Sequence, residues 1–141
     1  ISLVRKSFYF QSVKKNLIIA SYLSQEGLEL MKNIRDTNII LGLDYDNWDG
    51  VSSAGLGEYT YKVDYYSLLA TTCPSIDQAV LEKDNDFFRH STSTQDTIFK
   101  RLITVRAETL ASTTIESWVS WTDRGQTYEY KLETVLYDLS I

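Results

Sequence analysis

The chain has 141 residues, enough for one domain of ordinary size with a sizeable core. Apolar residues make up 43% and charged residues 23%, which excludes both a disordered chain and one embedded wholly in membrane. The formal net charge is −5 and the basic residues are dispersed, which argues against a phosphate-binding surface and against DNA as a partner.

Residues 1–16 carry Leu3, Val4, Phe8, Phe10 and Val13 at irregular spacing and read as helix running into the next segment. From Leu17 to Ile34 the period is clear. Ile19, Leu23, Gly27, Leu30 and Ile34 recur at helical steps, with Ala20 and Met31 widening the stripe, and Gln25, Glu29, Lys32, Asn33 and Asp36 lie opposite. This stripe is the predicted packing and assembly surface. Gly27 is its anomaly, because glycine costs about 1 kcal/mol relative to alanine in a helix interior. Two explanations fit: close approach of another element, or a point where the helix bends during assembly. Thr37 and Asn38 begin the predicted exit.

Residues 42–58 hold four glycines and four acidic residues, which is loop chemistry. Within them Asp44, Asp46, Asn47 and Asp49 precede Gly50 at a spacing that makes Asp44, Asp46 and Asp49 candidate Ca²⁺ ligands. The stretch is not a regular EF-hand loop, since Gly55 stands where the closing glutamate belongs, and an ordinary acidic turn is the simpler reading. No other cofactor is indicated.

Tyr59, Tyr61, Val63 and Tyr65 then alternate with polar residues as a half-buried strand requires. Residues 67–78 show no clean period. "AVLEKDNDFFRHS" reads as two short strands about a turn at residues 84–86. In "IFKRLITVRAE", Phe99, Ile103, Val105 and Ala107 share one side, which Arg101 interrupts. "TIESWVSW" alternates Ile115, Ser117, Val119 and Trp121 with Glu116, Trp118 and Ser120. The chain turns at Asp123-Arg124-Gly125 and returns through Tyr128, Tyr130 and Leu132. One helix followed by consecutive strands, with no βαβ alternation, predicts an α+β fold with the helix against one face of an antiparallel sheet.

"NLIIASYLSQEGLELMKNIRDTN", together with "YKVDY", "FFRHS", "FKRLITV" and "VSWTDRGQTYEYKLETVLYDL", resembles the type IV pilin-like family, in particular its minor pilins and pseudopilins, from about Lys14 onward. The resemblance implies a pilin-like fold, with residues 1–38 as the exposed half of the long N-terminal helix and residues 39–141 as a β-rich head. It further implies a structural, non-enzymatic subunit of a type IV pilus or secretion pseudopilus. Its partners would be other pilin subunits and the assembly platform, and it would be membrane-anchored before assembly and at the cell surface afterwards. The family's leader and apolar span are expected upstream of Ile1, as roughly 20 apolar residues. The cysteine pair that closes many pilin heads is absent, Cys73 being the only cysteine.

Two other classes compete with the filament subunit. One is an extracellular binding or adhesion module that uses a tyrosine-rich sheet, with Tyr45, Trp48 and Trp118 as candidate exposed aromatics, to hold carbohydrate or protein, although such side chains more often pack between helix and sheet or against a neighbouring subunit. The other is an enzyme. The lone His90, beside Arg89 and near Ser91 and Ser93, and the lone Cys73 read as a structural histidine and a small buried thiol, because no partner group lies at a telling spacing. Lys100, Arg101 and Arg106 form a candidate basic patch for DNA, which the acidic total opposes.

Overall fold

A computed structural model describes residues 2–84, 87–90 and 95–139. Helix α1 spans Ser2–Ile40 as one rod of 39 residues, so the upstream segment and the amphipathic stretch form one element. Asn38 does not begin the exit. It is buried, and its side-chain amide donates to the carbonyls of Tyr45 (3.2 Å) and Asn47 (3.0 Å) in the following loop. Those acceptors hold the last turn in place, and Leu43 N–H closes it onto the Asn38 carbonyl at 2.8 Å.

Seven strands follow: β1 Gly57–Lys62, β2 Thr71–Thr72, β3 Val80–Asp84, β4 Phe87–Arg89, β5 Gln95–Ala107, β6 Ser112–Asp123 and β7 Gln126–Tyr137. All pairings are antiparallel. The paired strands β3 and β4 lie where two short strands were expected, while residues 85 and 86 of their turn fall outside the described residues. The β6–β7 hairpin turns tightly with Asp123 paired to Gln126, and Arg124 and Gly125 both adopt positive φ (53° and 78°). That is the geometry a two-residue hairpin requires.

β5 organises the sheet. Along one edge it pairs continuously with β6 from Phe99↔Trp121 to Arg106↔Thr114, and β6 pairs in turn with β7. Its other edge is shared by two strands. β3 takes the first half, up to Lys100, and β1 takes the second, from Ile103. The sheet therefore divides at Arg101 and Leu102 into a β1–β2 arm and a β3–β4 arm.

The helix covers the face that carries Phe99, Arg101, Ile103 and Val105 of β5 and Ile115, Ser117, Val119 and Trp121 of β6. Two apolar clusters fill this interface. One gathers Met31, Ile34, Trp48, Tyr61, Ile103 and Ile115, and the other Ala20, Leu23, Leu81, Phe99, Val119 and Trp121. On the outer face Cys73 and Ala79 cover Leu102, with Ile76 and Trp118 packed beside them. β5 is thus buried on both sides around the division.

The pilin-like architecture that the resemblance implies is corrected here. The body of the molecule is one seven-stranded antiparallel sheet with a single helix laid on it, an α+β arrangement dominated by sheet. The physical reason lies in the strands. β5, β6 and β7 run 13, 12 and 12 residues and supply more of the buried apolar residues than the helix does, whose buried residues run from Ala20 to Asn38 among those whose burial is described.

Candidate functional site

Between the two apolar clusters lies a buried polar belt. Ser24 Oγ donates to the Ser117 carbonyl at 2.8 Å. Gly27, one turn on, is buried, and a Cβ there would lie 2.5 Å from Ser117 Oγ, 3.0 Å from Ile103 Cδ1 and 3.1 Å from Arg101 Cδ. Close approach of helix to sheet explains the glycine in the stripe.

Arg101 completes the belt and is fully buried. One guanidinium NH₂ group (Nη1) donates to the Leu23 carbonyl (2.9 Å) and to Glu26 Oε1 (2.8 Å), and the other (Nη2) donates to the Val63 carbonyl, just beyond the end of β1. Its backbone N–H donates to Ala79, just before β3, at 3.0 Å. One residue thus ties the helix to both arms of the divided sheet. A buried cation needs such a set of acceptors, since removing it from water costs several kcal/mol.

Asp64 secures the division from the other side. Its buried carboxylate accepts the backbone N–H groups of Tyr66 and Ser67 on Oδ1 (3.0 and 2.9 Å) and of His90 on Oδ2 (2.8 Å). It therefore links the chain leaving β1 to the end of β4. His90 Nδ1 lies 3.0 Å from the Val80 carbonyl, which can only accept, so Nδ1 carries the proton and Nε2 is a bare acceptor. Nε2 is buried and meets no hydrogen-bond partner among the described residues. Burial, followed by the nearby Arg101 charge, lowers the His90 pKa to about 4, so the ring is neutral at pH 7.

Where the arms separate, a cleft of about 290 Å³ opens, lined among others by Lys62, Asp64, Tyr66, Thr71, Arg89 and His90. The Arg89 guanidinium lies 3.6 Å over the Tyr66 ring. Lys62, half-buried, makes no ion pair with a described carboxylate.

The residues singled out in the sequence scatter. Of the stripe, Leu23, Gly27 and Ile34 are buried and Ile19 and Leu30 partly so, all against this chain's own sheet. Asp46 spends its carboxylate on Ser53 Oγ (2.7 Å) and Gly55 N–H (2.9 Å), and Asp49 accepts Val51 N–H at 2.9 Å. Asp44 is exposed. Among the described residues no three His, Cys, Asp or Glu side chains gather as metal ligands, so the acidic loop is organised by its own hydrogen bonds.

The less favoured surface readings are set aside. Tyr45 and Trp48 are core residues, 5% and 0% exposed, because Trp48 fills the larger cluster and Tyr45 hydroxyl bonds Thr113 at 2.9 Å. Trp118 is half-buried beneath Lys131, 4.9 Å from its ring centre. The basic patch dissolves as well: Arg101 is interior, Lys100 pairs with Asp77 (3.1 Å) and Arg106 with Glu133 (2.7 Å). Cys73 is buried, with its thiol directed to the Ser75 carbonyl. His90 is interior and hydrogen-bonded, while Ser91 and Ser93 lie outside the described residues.

Sequence reasoning missed Lys62 and Asp64 as neighbours of His90. A signal existed for Arg101, a charge within an apolar face that must be paired if buried. None existed for the cleft, which depends on two strands sharing one edge.

Comparison with family models, with curated proteins and with solved structures returned no match for this chain. The pilin-like resemblance therefore rests on the residues quoted for it alone.

Proposed function

We propose that this chain is a non-enzymatic structural subunit of a surface filament, of the minor pilin or pseudopilin kind. It would be anchored in the membrane before assembly and exposed at the cell surface afterwards, with other such subunits and the assembly platform as partners. One observation carries the reading: α1 is longer than its own sheet uses. Among the residues whose burial is described, its buried ones begin at Ala20, so residues 13–19 leave roughly 10 Å of helix, at about 1.5 Å per residue, without a fully buried side chain. Ile18 and Tyr22, 69% and 53% exposed, lie roughly opposite Gly27 at about 100° per residue. They present apolar surface away from the sheet, where a neighbouring helix would pack. No described helix is long and apolar enough to cross a membrane.

Cross-linking in cells tests the proposal. The full-length gene, with Cys73→Ser and a single Ile18→Cys or Tyr22→Cys, is expressed in its native host and oxidised. A ladder of disulfide-linked multimers in sheared surface filaments is expected. Monomer alone, in both sheared and cell-bound fractions, sinks the proposal.

A further inference from the structure

We infer that the acidic end of the molecule, where α1 stops beside the β5–β6 turn and the last residues of β7, docks onto the outward face of the first half of α1 in a second copy of this chain. The inference rests on the filament reading and names the contact between its subunits.

Three segments meet at this end. The Asn38 amide donates to the carbonyls of Tyr45 and Asn47, the Tyr45 hydroxyl bonds Thr113, and Asp138 N–H donates to the Ala111 carbonyl at 2.8 Å. Leu43, Asp44, Asp46, Leu110 and Asp138 line one small hollow of about 200 Å³. Residues 36–49, 107–115 and 132–139 hold seven acidic residues and no lysine or arginine. Arg35 answers Asp36 and Arg106 answers Glu133 at the border. Asp44, Asp46, Asp49 and Glu108 pair with no described cation. The hydrogen bonds that Asp46 and Asp49 accept come from neutral groups, so their charge stays. Amid these carboxylates stand Ile40, Leu41, Leu43, Leu110 and Leu139, each between 46% and 83% exposed. Large apolar side chains gathered in the open at one place mark a docking surface.

Charge selects the occupant. Two such ends repel each other, which excludes a two-fold dimer through this surface, and an anionic membrane is repelled likewise. The complement lies on the same chain. Residues 1–25 hold four basic residues and no acidic one. Lys14, Ile18 and Tyr22 recur at steps of four on α1, and Lys15 lies seven residues before Tyr22, so all four share one face. All four are exposed. The apolar tip of one copy covers Ile18 and Tyr22 of the next while its carboxylates face the two lysines. Because an end meets a flank, the contact is heterologous and repeats from copy to copy.

Two variants that each keep one half of the contact test the inference. Lys14→Gln/Lys15→Gln leaves the acidic end intact, and Asp44→Asn/Glu108→Gln leaves the helix face intact. All four positions are exposed, and the amide spectrum of each variant reports its fold. The first variant, ¹⁵N-labelled, is titrated with the second, unlabelled. Saturable amide shifts are expected at residues 40–44, 108–111 and 138–139, weakening as salt rises. With the first variant itself as the unlabelled partner, binding should fall about tenfold, as the loss of two exposed charge pairs predicts. Equal shifts with both partners, shifts confined to other amides, or no shifts overturn the inference. The filament reading fails separately. These shifts without surface multimers in cells keep the contact and remove the filament, whereas multimers without these shifts keep the filament and remove the contact.

Discussion

The two edges of β5 are held by different means. Toward β6 the ladder runs through eight consecutive pairs, and β6 continues it through twelve more to β7. Apolar and polar residues alternate along it and side-chain packing suffices. Toward β1 and β3 the same strand makes five pairs and three, with a shift of register between Val80 and Glu82 and a break at its centre. Around the break, strand ends leave backbone groups that no ladder satisfies, and Arg101, Asp64 and His90 satisfy them instead. Charge is buried where two strands share an edge, as in Arg101–Glu26, whereas the ion pair Arg106–Glu133 across the continuous side is exposed and contributes little.

Arg101→Ala should break this contrast most. It strands Glu26 and the carbonyls of Leu23 and Val63, and removing one partner of a buried pair costs about 3–5 kcal/mol. Urea denaturation measures the loss. Hydrogen exchange should show amides of β1 and β3 opening well before those of the β6–β7 hairpin. Uniform loss across all strands would mean that the division is not the weak point.

Acid should act on the same side. The His90 pKa is lowered to about 4 by burial, against an ordinary value of 6.5, so as the pH falls the unfolded chain takes up its proton first. The contribution is fully present above about pH 6.5 and is lost as the pH falls toward 4. Its size is about 3 kcal/mol at roughly 1.4 kcal/mol per pH unit. The charges around the ring, Arg101 and Lys62 against Asp64, leave the direction unchanged. His90→Gln should flatten this part of the stability profile in pH-dependent urea titrations, and a slope equal to wild type would remove His90 as its source.

The same contrast explains what the sequence shows. The continuous edge is legible: Ile115, Ser117, Val119 and Trp121 alternate, and Arg124-Gly125 marks the turn. The divided edge is not, because β1 and β3 are far apart in the chain and nothing local says that both meet β5. Arg101 reads as an interruption in an apolar face, Asp64 as one more polar residue in an alternation, and His90 as a lone histidine. Trp48 reads as a loop aromatic because loop composition conceals that the loop folds back on the core.

Gly27→Ala probes the belt that both edges share. Alanine gains about 1 kcal/mol of helix propensity, but its Cβ meets Ser117 Oγ at 2.5 Å, and overpacking of this kind costs about 1–3 kcal/mol. Net destabilisation of about 1 kcal/mol is expected in thermal melts of the isolated chain. Adding Ser117→Ala should return most of it, since the remaining close atoms are the Cδ1 of Ile103 and the Cδ of Arg101. An isolated chain as stable as wild type would instead place the need for glycine in assembly.

The smallest effect belongs to the continuous edge and has the opposite sign. Arg124 adopts φ 53°, which a long side chain tolerates poorly, at the first central position of the β6–β7 turn. Asparagine occupies left-handed backbone more readily, and Asn-Gly is the preferred pair for a turn with two positive φ values. Arg124→Asn should therefore stabilise by about 0.5 kcal/mol, even after loss of the interaction the arginine side chain makes. The gain should appear in urea midpoints and in slower exchange of the hairpin amides, with the arms at the division unchanged. Equal slowing of β1 and β3 would show that the two edges open as one unit, and the distinction between them would then be one of construction and not of stability.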